Sequence, residues 1–203
     1  MNNKNSMENK LVNQLKEAGY SGLFQYGERS LADAVWQEGK NEDALRQIVL
    51  HSEYEVYIRL LASEVLYSKN ADYPPADWKD TLAYIYAQAL AISGHQEGIL
   101  IAGNQWGFMY FYDKSDIADY GSLGSHLINT GRPAIPYLVA LLNNDNSLFY
   151  EGSKEATLGN SLKYRVKDAA AYYIGKITGI PVQFHENHAD RDTEIERLKE
   201  QLK

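Results

Sequence analysis

An all-α fold of antiparallel helix pairs is what this sequence predicts, and three observations carry the prediction. Apolar residues recur at i, i+3 and i+4 over most of the chain. Glycine or proline closes or opens nearly every such segment. Strand-like alternation is confined to one place, where Trp106, Phe108, Tyr110 and Tyr112 stand two apart, and there the intervening Met109 and Phe111 are apolar as well. The length of 203 residues suits one sizeable domain or a short array of repeated units. Residues 1–7 read as a disordered tail and residues 8–203 as a single helical domain.

The elements follow in order. Lys10 to Ala18 is a short amphipathic helix stopped by Gly19. Ser30 is placed to cap a helix carrying Leu31, Ala34 and Val35, which Gly39 would close. From Asn41, "NEDALRQIVLH" sets Ala44, Leu45, Ile48 and Val49 on one stripe. Glu53 to Ser68 is apolar round so much of its circumference that neighbours must cover it on several sides. Pro74 and Pro75 break the chain and suit the start of a helix bearing Trp78, Leu82, Ile85, Tyr86 and Ala89. Gly94 to Gly124 holds six of the 15 glycines and reads as a Gly-rich irregular centre, with Gly103-Asn104 suited to a hairpin turn. Gly131 ends a short helix and Pro133 opens the next, with Ile135, Leu138, Val139 and Leu142 as its apolar face. Val166, Ala169, Ala170, Tyr173, Ile174 and Ile177 form the clearest amphipathic pattern, closed by Gly179 and Pro181. Asp192 or Thr193 would cap a last helix bearing Ile195, Leu198 and Leu202.

Composition removes several classes of function. With 20 basic and 27 acidic side chains the formal charge is −7, and the densest basic stretch, Lys154 to Lys167, is diluted by Glu155, Gly159 and Asn160. Nucleic acid, whose binding rests on neutralising phosphates, is therefore not the expected partner. No cysteine is present, so disulfides, thiolate metal sites and a Cys nucleophile are excluded. The start, "MNNKNSMENK", lacks the apolar core of a signal peptide, and no run is long enough to span a bilayer. A soluble protein is expected, cytoplasmic as it stands and exported if a leader has been removed.

Two segments share a shape. In "IRLLASEVL" (Ile58 to Leu66) and "VKDAAAYYI" (Val166 to Ile174) a β-branched residue precedes a cation, Ala follows three positions after the cation, and an aliphatic residue comes four later. Each lies on the second helix of a pair, so that the Ala allows close approach and the cation points to the turn. This resembles the HEAT-like and armadillo-like families of helical repeats, with "AIPYLVALLNND" similar to a first helix and "YRVKDAAAYYIGKITG" to a second. The legible units cover residues 41–68 and 133–178. The resemblance implies a HEAT-like α-α superhelix whose stacked pairs offer an extended surface to macromolecules; a non-repetitive helical domain is the alternative. In the first unit "HSE" joins the helices almost directly, whereas about twenty residues separate Asp145 from Arg165 in the second. The polar stretch 146–163 is thus an insertion at an intra-repeat turn, and long loops in compact domains are often functional. A surface embellishment packed by Leu148, Phe149, Tyr150 and Leu158 is the other reading.

Candidate chemistry is sparse. No Walker loop, GxSxG, HExxH or suitably placed GxGxxG occurs. His185 and His188, beside Asp190 and Asp192 in "FHENHADRD", are the one metal-ligand candidate, against solvated histidines at a helix start; no cofactor is implied. Asp113, Asp116 and Asp119 lack the alternation of a calcium loop. Two sets suit binding: Trp106, Tyr110 and Tyr112 with Asn104 and Gln105, which combine aromatic faces with amides, and Tyr150, Lys154, Glu155, Asn160 and Tyr164 round the insertion. Arg165 or Lys167 meeting Glu155 or Asp168 would order the loop rather than recognise a ligand. The expected function is a non-enzymatic protein-protein interaction or scaffold role that uses the helical surface, the insertion and the Trp106 region. The competing expectation is a hydrolase or lyase acting on a small molecule or glycan through Glu151, Glu155, Tyr164 and His126.

Overall fold

The computed structural model describes residues 2–24, 31–93, 108, 122–148, 160–183 and 185–203, with side chains from Met7 onward. Among these residues the regular structure is helical, and the extended pairing is an isolated antiparallel bridge between Ser147 and Arg165. The fold is all-α. Its contacts divide the chain into two compact units, Met1–Thr81 and Leu82–Lys203.

In the first unit, α1 (Asn2–Phe24) breaks at Gly19, whose φ of 59° is a left-handed conformation that glycine adopts without steric cost. Leu11, Leu15, Tyr20 and Leu23 are buried on either side of the break. Next come α2 (Leu31–Trp36), a 3-10 turn at Gln37–Gly39, α3 (Glu42–Leu50) and α4 (Val56–Lys69). The predicted stripe of α3 is the buried one: Ala44, Leu45, Ile48 and Val49. Every residue of α4 from Ile58 to Leu66 is buried, because α1, α2 and α3 all pack on it. Burying Arg59 in this helix is tolerable because its Nε donates to the Val49 carbonyl at the end of α3, 2.9 Å away, an oxygen near the helix terminus. The Asn41 amide likewise donates to the Val35 carbonyl at 2.7 Å, tying the end of α2 to the start of α3. After Pro74 and Pro75, a 3-10 turn at Ala76–Trp78 leads into α5 (Lys79–Ile92).

The second unit takes up α5 from Leu82 and continues with α6 (Ser122–Thr130), a 3-10 turn at Arg132–Ala134, α7 (Ile135–Leu141), α8 (Val166–Thr178) and α9 (His188–Gln201). Helices α6, α7 and α9 all pack against α8, which buries Val166 and everything from Asp168 to Ile174. Gly179, left-handed at φ 80°, ends α8 by returning its N–H to the Gly175 carbonyl at 2.8 Å. Gly175 is required for another reason: a Cβ there would stand 2.9 Å from both the Ile180 carbonyl oxygen and Val182 Cγ2.

Two expected details differ. On α7 the buried residues are Leu138 and Leu141, with Ala134 before the helix and Leu142 after it, while Val139 is 38% exposed. A helix this short, entered through a 3-10 turn, rotates its face away from that of an ideal helix. The last helix starts earlier than expected. Its cap is Asn187, whose Oδ1 accepts the Asp190 N–H at 2.9 Å, so Asp192 and Thr193 lie inside it. The predicted Ser30 cap and the irregular centre, apart from Phe108 and the start of α6, lie outside the described residues.

Candidate functional site

The neck of the insertion is the best-defined polar site in the second unit. The chain leaves α7 through an Asn turn in which Asn144 Oδ1 accepts the Asn146 N–H at 3.0 Å. Outgoing and returning strands are then stitched together: Leu148 N–H to Tyr164 O and Val166 N–H to Asn146 O, both 2.8 Å, and Lys167 N–H to Asn144 O at 3.0 Å. The chain entering and the chain leaving the insertion are thus joined by backbone hydrogen bonds, Leu148 to Tyr164 and Asn146 to Val166.

Under this neck lies an ionic network with a buried centre. Arg165 caps α8, and its own N–H donates to Asp168 Oδ2 at 2.9 Å. All five guanidinium N–H groups of Arg165 are used. Nε and Nη2 grip the Asp168 carboxylate at 3.1 and 2.9 Å, Nη2 and Nη1 grip Asp192 at 2.8 and 3.3 Å, and Nη1 also reaches Asp145 at 3.3 Å. Arg191, from the first turn of α9, is equally saturated. It donates from Nη1 to Asp168 at 3.0 Å and Lys163 O at 3.5 Å, from Nη2 to Leu162 O at 2.6 Å and Glu186 O at 2.7 Å, and from Nε to His185 O at 2.7 Å. Its guanidinium carbon sits 4.2 Å from the centre of the Tyr164 ring. Lys167 closes the set with Nζ at 2.7 Å from Asp145 and 2.9 Å from Asp192. Three cations and three carboxylates balance; Arg165, Arg191 and Asp168 form the buried centre, while Asp192 and Asp145 reach solvent at its edge.

Ionisation follows from this geometry. The Lys167 hydrogen bond holds the Asp145 carboxyl below the usual range. At Asp192 burial acts in the opposite sense, but hydrogen bonds from Arg165 and Lys167 outweigh it and the carboxyl is also lowered. Burial pushes the Tyr164 hydroxyl above the usual phenol range despite the opposing Arg191 charge, so at neutral pH it is a donor and not a base.

The sequence candidates distribute unevenly over this structure. Arg165 and Tyr164 come together in the network, with the Arg165–Asp168 pairing as expected, and Asn160 is exposed where the insertion returns. His126, on α6, packs edge-on against Tyr86, with ring centres 6.0 Å apart. His188 Nε2 is hydrogen-bonded to the Lys163 carbonyl at 2.9 Å, and His185 contributes its backbone carbonyl to Arg191. Among the described residues no group of three or more His, Asp or Glu side chains is arranged to hold a metal. Asn104, Trp106, Tyr110, Tyr112, Tyr150, Glu151, Lys154 and Glu155 lie outside the described residues. The sequence reading missed Arg191, Asp145 and Asp192 as members of the network. The signal available was "RVKD" matched against "DRD", complementary charge strings at two helix starts, but helical periodicity says nothing about which strings meet.

Among the described residues no helix is long and apolar enough to cross a membrane. Comparison with family models, curated proteins and solved structures finds no match for this chain.

Proposed function

We propose that this chain is a non-enzymatic interaction protein that presents the insertion between Leu148 and Asn160 to a protein partner. The observation that carries the proposal is the saturation of the neck. All ten guanidinium donors of Arg165 and Arg191 are used within the chain, so the network's chemistry goes into holding the two ends of the segment and leaves those guanidiniums no donor for a substrate. Fixing the base of a segment lowers the entropy lost when that segment binds. The helical-repeat part of this reading draws on the packing of α3 with α4 and of α7 with α8; Arg59 reaches back to the Val49 carbonyl in α3, whereas Lys167 reaches Asp145 in the turn after α7.

The test is affinity capture from the native lysate with the intact chain and with a variant whose residues 150–159 are replaced by a short Gly-Ser turn. Leu148 and residues 160–165 are kept, so the neck survives. A protein retained by the intact chain and lost by the variant, with both chains equally helical, is the expected result. Equal capture by both would remove the insertion from the interaction. Turnover of any substrate by the intact chain, lost on Tyr164→Phe, would overturn the non-enzymatic reading.

A further inference from the structure

We propose that the first unit carries a binding site for a neutral oligosaccharide, centred on Trp36. An open concavity of about 750 Å³ lies where α2 turns into α3 and faces the end of α4, lined by Asp33, Trp36, Gln37, Glu38, Lys40 and Lys69. Its floor is built from an unusual backbone. Gln37 (φ 49°), Glu38 (φ 54°) and Gly39 (φ 87°) are left-handed in succession. Gly39 adopts this freely, and a Cβ there would stand 3.6 Å from Trp36 Cζ2, so its backbone lies against the indole. For Gln37 and Glu38 the conformation is disfavoured by contact between Cβ and the following carbonyl. Strain of this kind persists where the surroundings over-determine it, and it concentrates at binding sites. Here it is held by Lys40 N–H on Gln37 O at 3.1 Å and by the Asn41 amide on Val35 O at 2.7 Å.

The strained turn gains no internal polar contact from its side chains. Gln37, Glu38 and Lys40 are exposed, and among the described residues their side chains take part in no hydrogen bond or ion pair, whereas Lys69 and Asp33 pair at 2.6 Å. The result is a partly exposed indole beside the uncommitted side chains of Gln37, Glu38 and Lys40. An amide and a carboxylate on consecutive residues match neighbouring hydroxyls, and the exposed part of the indole offers apolar surface to the C–H groups of a sugar ring. Charge selects against ionic ligands, since two carboxylates oppose two ammonium groups. The single large apolar group selects against an amphipathic peptide helix, which needs anchors at i, i+3/i+4 and i+7. An open-sided trough suits a chain of sugar units better than a small enclosed molecule.

The experiment follows the indole N–H of Trp36 by ¹H–¹⁵N NMR in the full chain during titration with cellohexaose, chitohexaose, xylohexaose and maltohexaose. The expected result is a saturable shift with at least one of them, moving Trp36 and leaving the Trp78 indole in place. Trp36→Ala should weaken that binding at least tenfold. Because Trp36 is partly buried, Gln37→Ala and Glu38→Ala serve as variants of exposed side chains; each should weaken binding several-fold with an unchanged Trp78 signal. No saturable shift with any of the four sugars, or a shift that Gln37→Ala and Glu38→Ala leave intact, would overturn the proposal. So would saturable binding of an acidic or basic hexapeptide at Trp36 in place of the sugars.

Discussion

Asp168 carries more of the second unit than any other single charge. Its side chain is 1% exposed and accepts from Arg165 through backbone and guanidinium and from Arg191 through Nη1. Asp168→Asn would leave two buried guanidiniums facing each other with the central anion gone. Breaking one partner of a buried ionic set costs about 3–5 kcal/mol; urea unfolding of the variant at neutral pH measures it. Asp145 also contacts Arg165, and Lys167 besides, but is 71% exposed, so Asp145→Asn should cost far less in the same measurement. Gly175 sets two effects against each other. Alanine is favoured over glycine inside a helix by about 1 kcal/mol. Its Cβ would meet the Ile180 carbonyl and Val182 Cγ2 at 2.9 Å, and a backbone carbonyl does not rotate aside. Overpacking of this sort costs about 1–3 kcal/mol. The clash wins, and thermal unfolding of Gly175→Ala should show a net loss of stability where a helical glycine in open space would show a gain.

At the scale of the element, α9 is held mainly by polar contacts, since only Arg191, Ile195 and Leu198 are buried along it. Glu194 anchors its middle to the segment after α8. One oxygen accepts the Gln183 N–H at 2.7 Å, and Arg197 grips both at 2.6 and 2.8 Å. The Arg197 hydrogen bond, helped by that backbone N–H, brings the Glu194 carboxyl down to about 2. A depressed folded-state pKa means the folded chain binds fewer protons than the unfolded one between about pH 2 and pH 5. The contribution of Glu194 is therefore complete above that window and lost as the pH falls through it, and Asp192, also lowered, acts in the same direction. Glu194→Gln should flatten the acid side of the stability profile, measured as the urea midpoint between about pH 6 and pH 3. The elements differ in how much of themselves they show in the sequence. The buried face of α3 was legible because Ala44, Leu45, Ile48 and Val49 keep an undisturbed period in a helix covered on one side. α7 was less so, because a 3-10 start shifts its face and exposes Val139. The start of α9 was legible in principle: Asn187 and Asp190 stand three apart, as in a cap, but the later acids in "ADRD" drew attention to Asp192. The candidate site was half legible. Arg165 with Asp168 is a local pair, whereas Arg191 reaches Asp168 across 23 positions and no local pattern encodes that distance. The left-handed run at Gln37–Gly39 left no trace beyond its glycine, since neither Gln nor Glu favours that conformation.

For the whole molecule, the division at Thr81 and Leu82 makes a prediction about cooperativity. Each unit has a hydrophobic centre of its own. Leu15, Leu45, Ile48, Leu60, Leu61 and Val65 are fully buried in the first, and Leu127, Leu138, Tyr173, Ile174 and Leu198 in the second. The ionic network lies wholly in the second, drawing on residues 145–192. Local opening takes place in contiguous cooperative blocks, so a defect in one block need not be felt in another. Hydrogen exchange of Asp168→Asn against the unaltered chain tests this directly. Amides of α8 and the first turns of α9 should exchange faster, because Arg165 and Arg191 lose their common partner, while amides of α3 and α4 should keep their original protection. An equal loss of protection in α3 and α4 would mean that the two units open together as one cooperative block, and the stability lost on removing Asp168 would then belong to the whole chain.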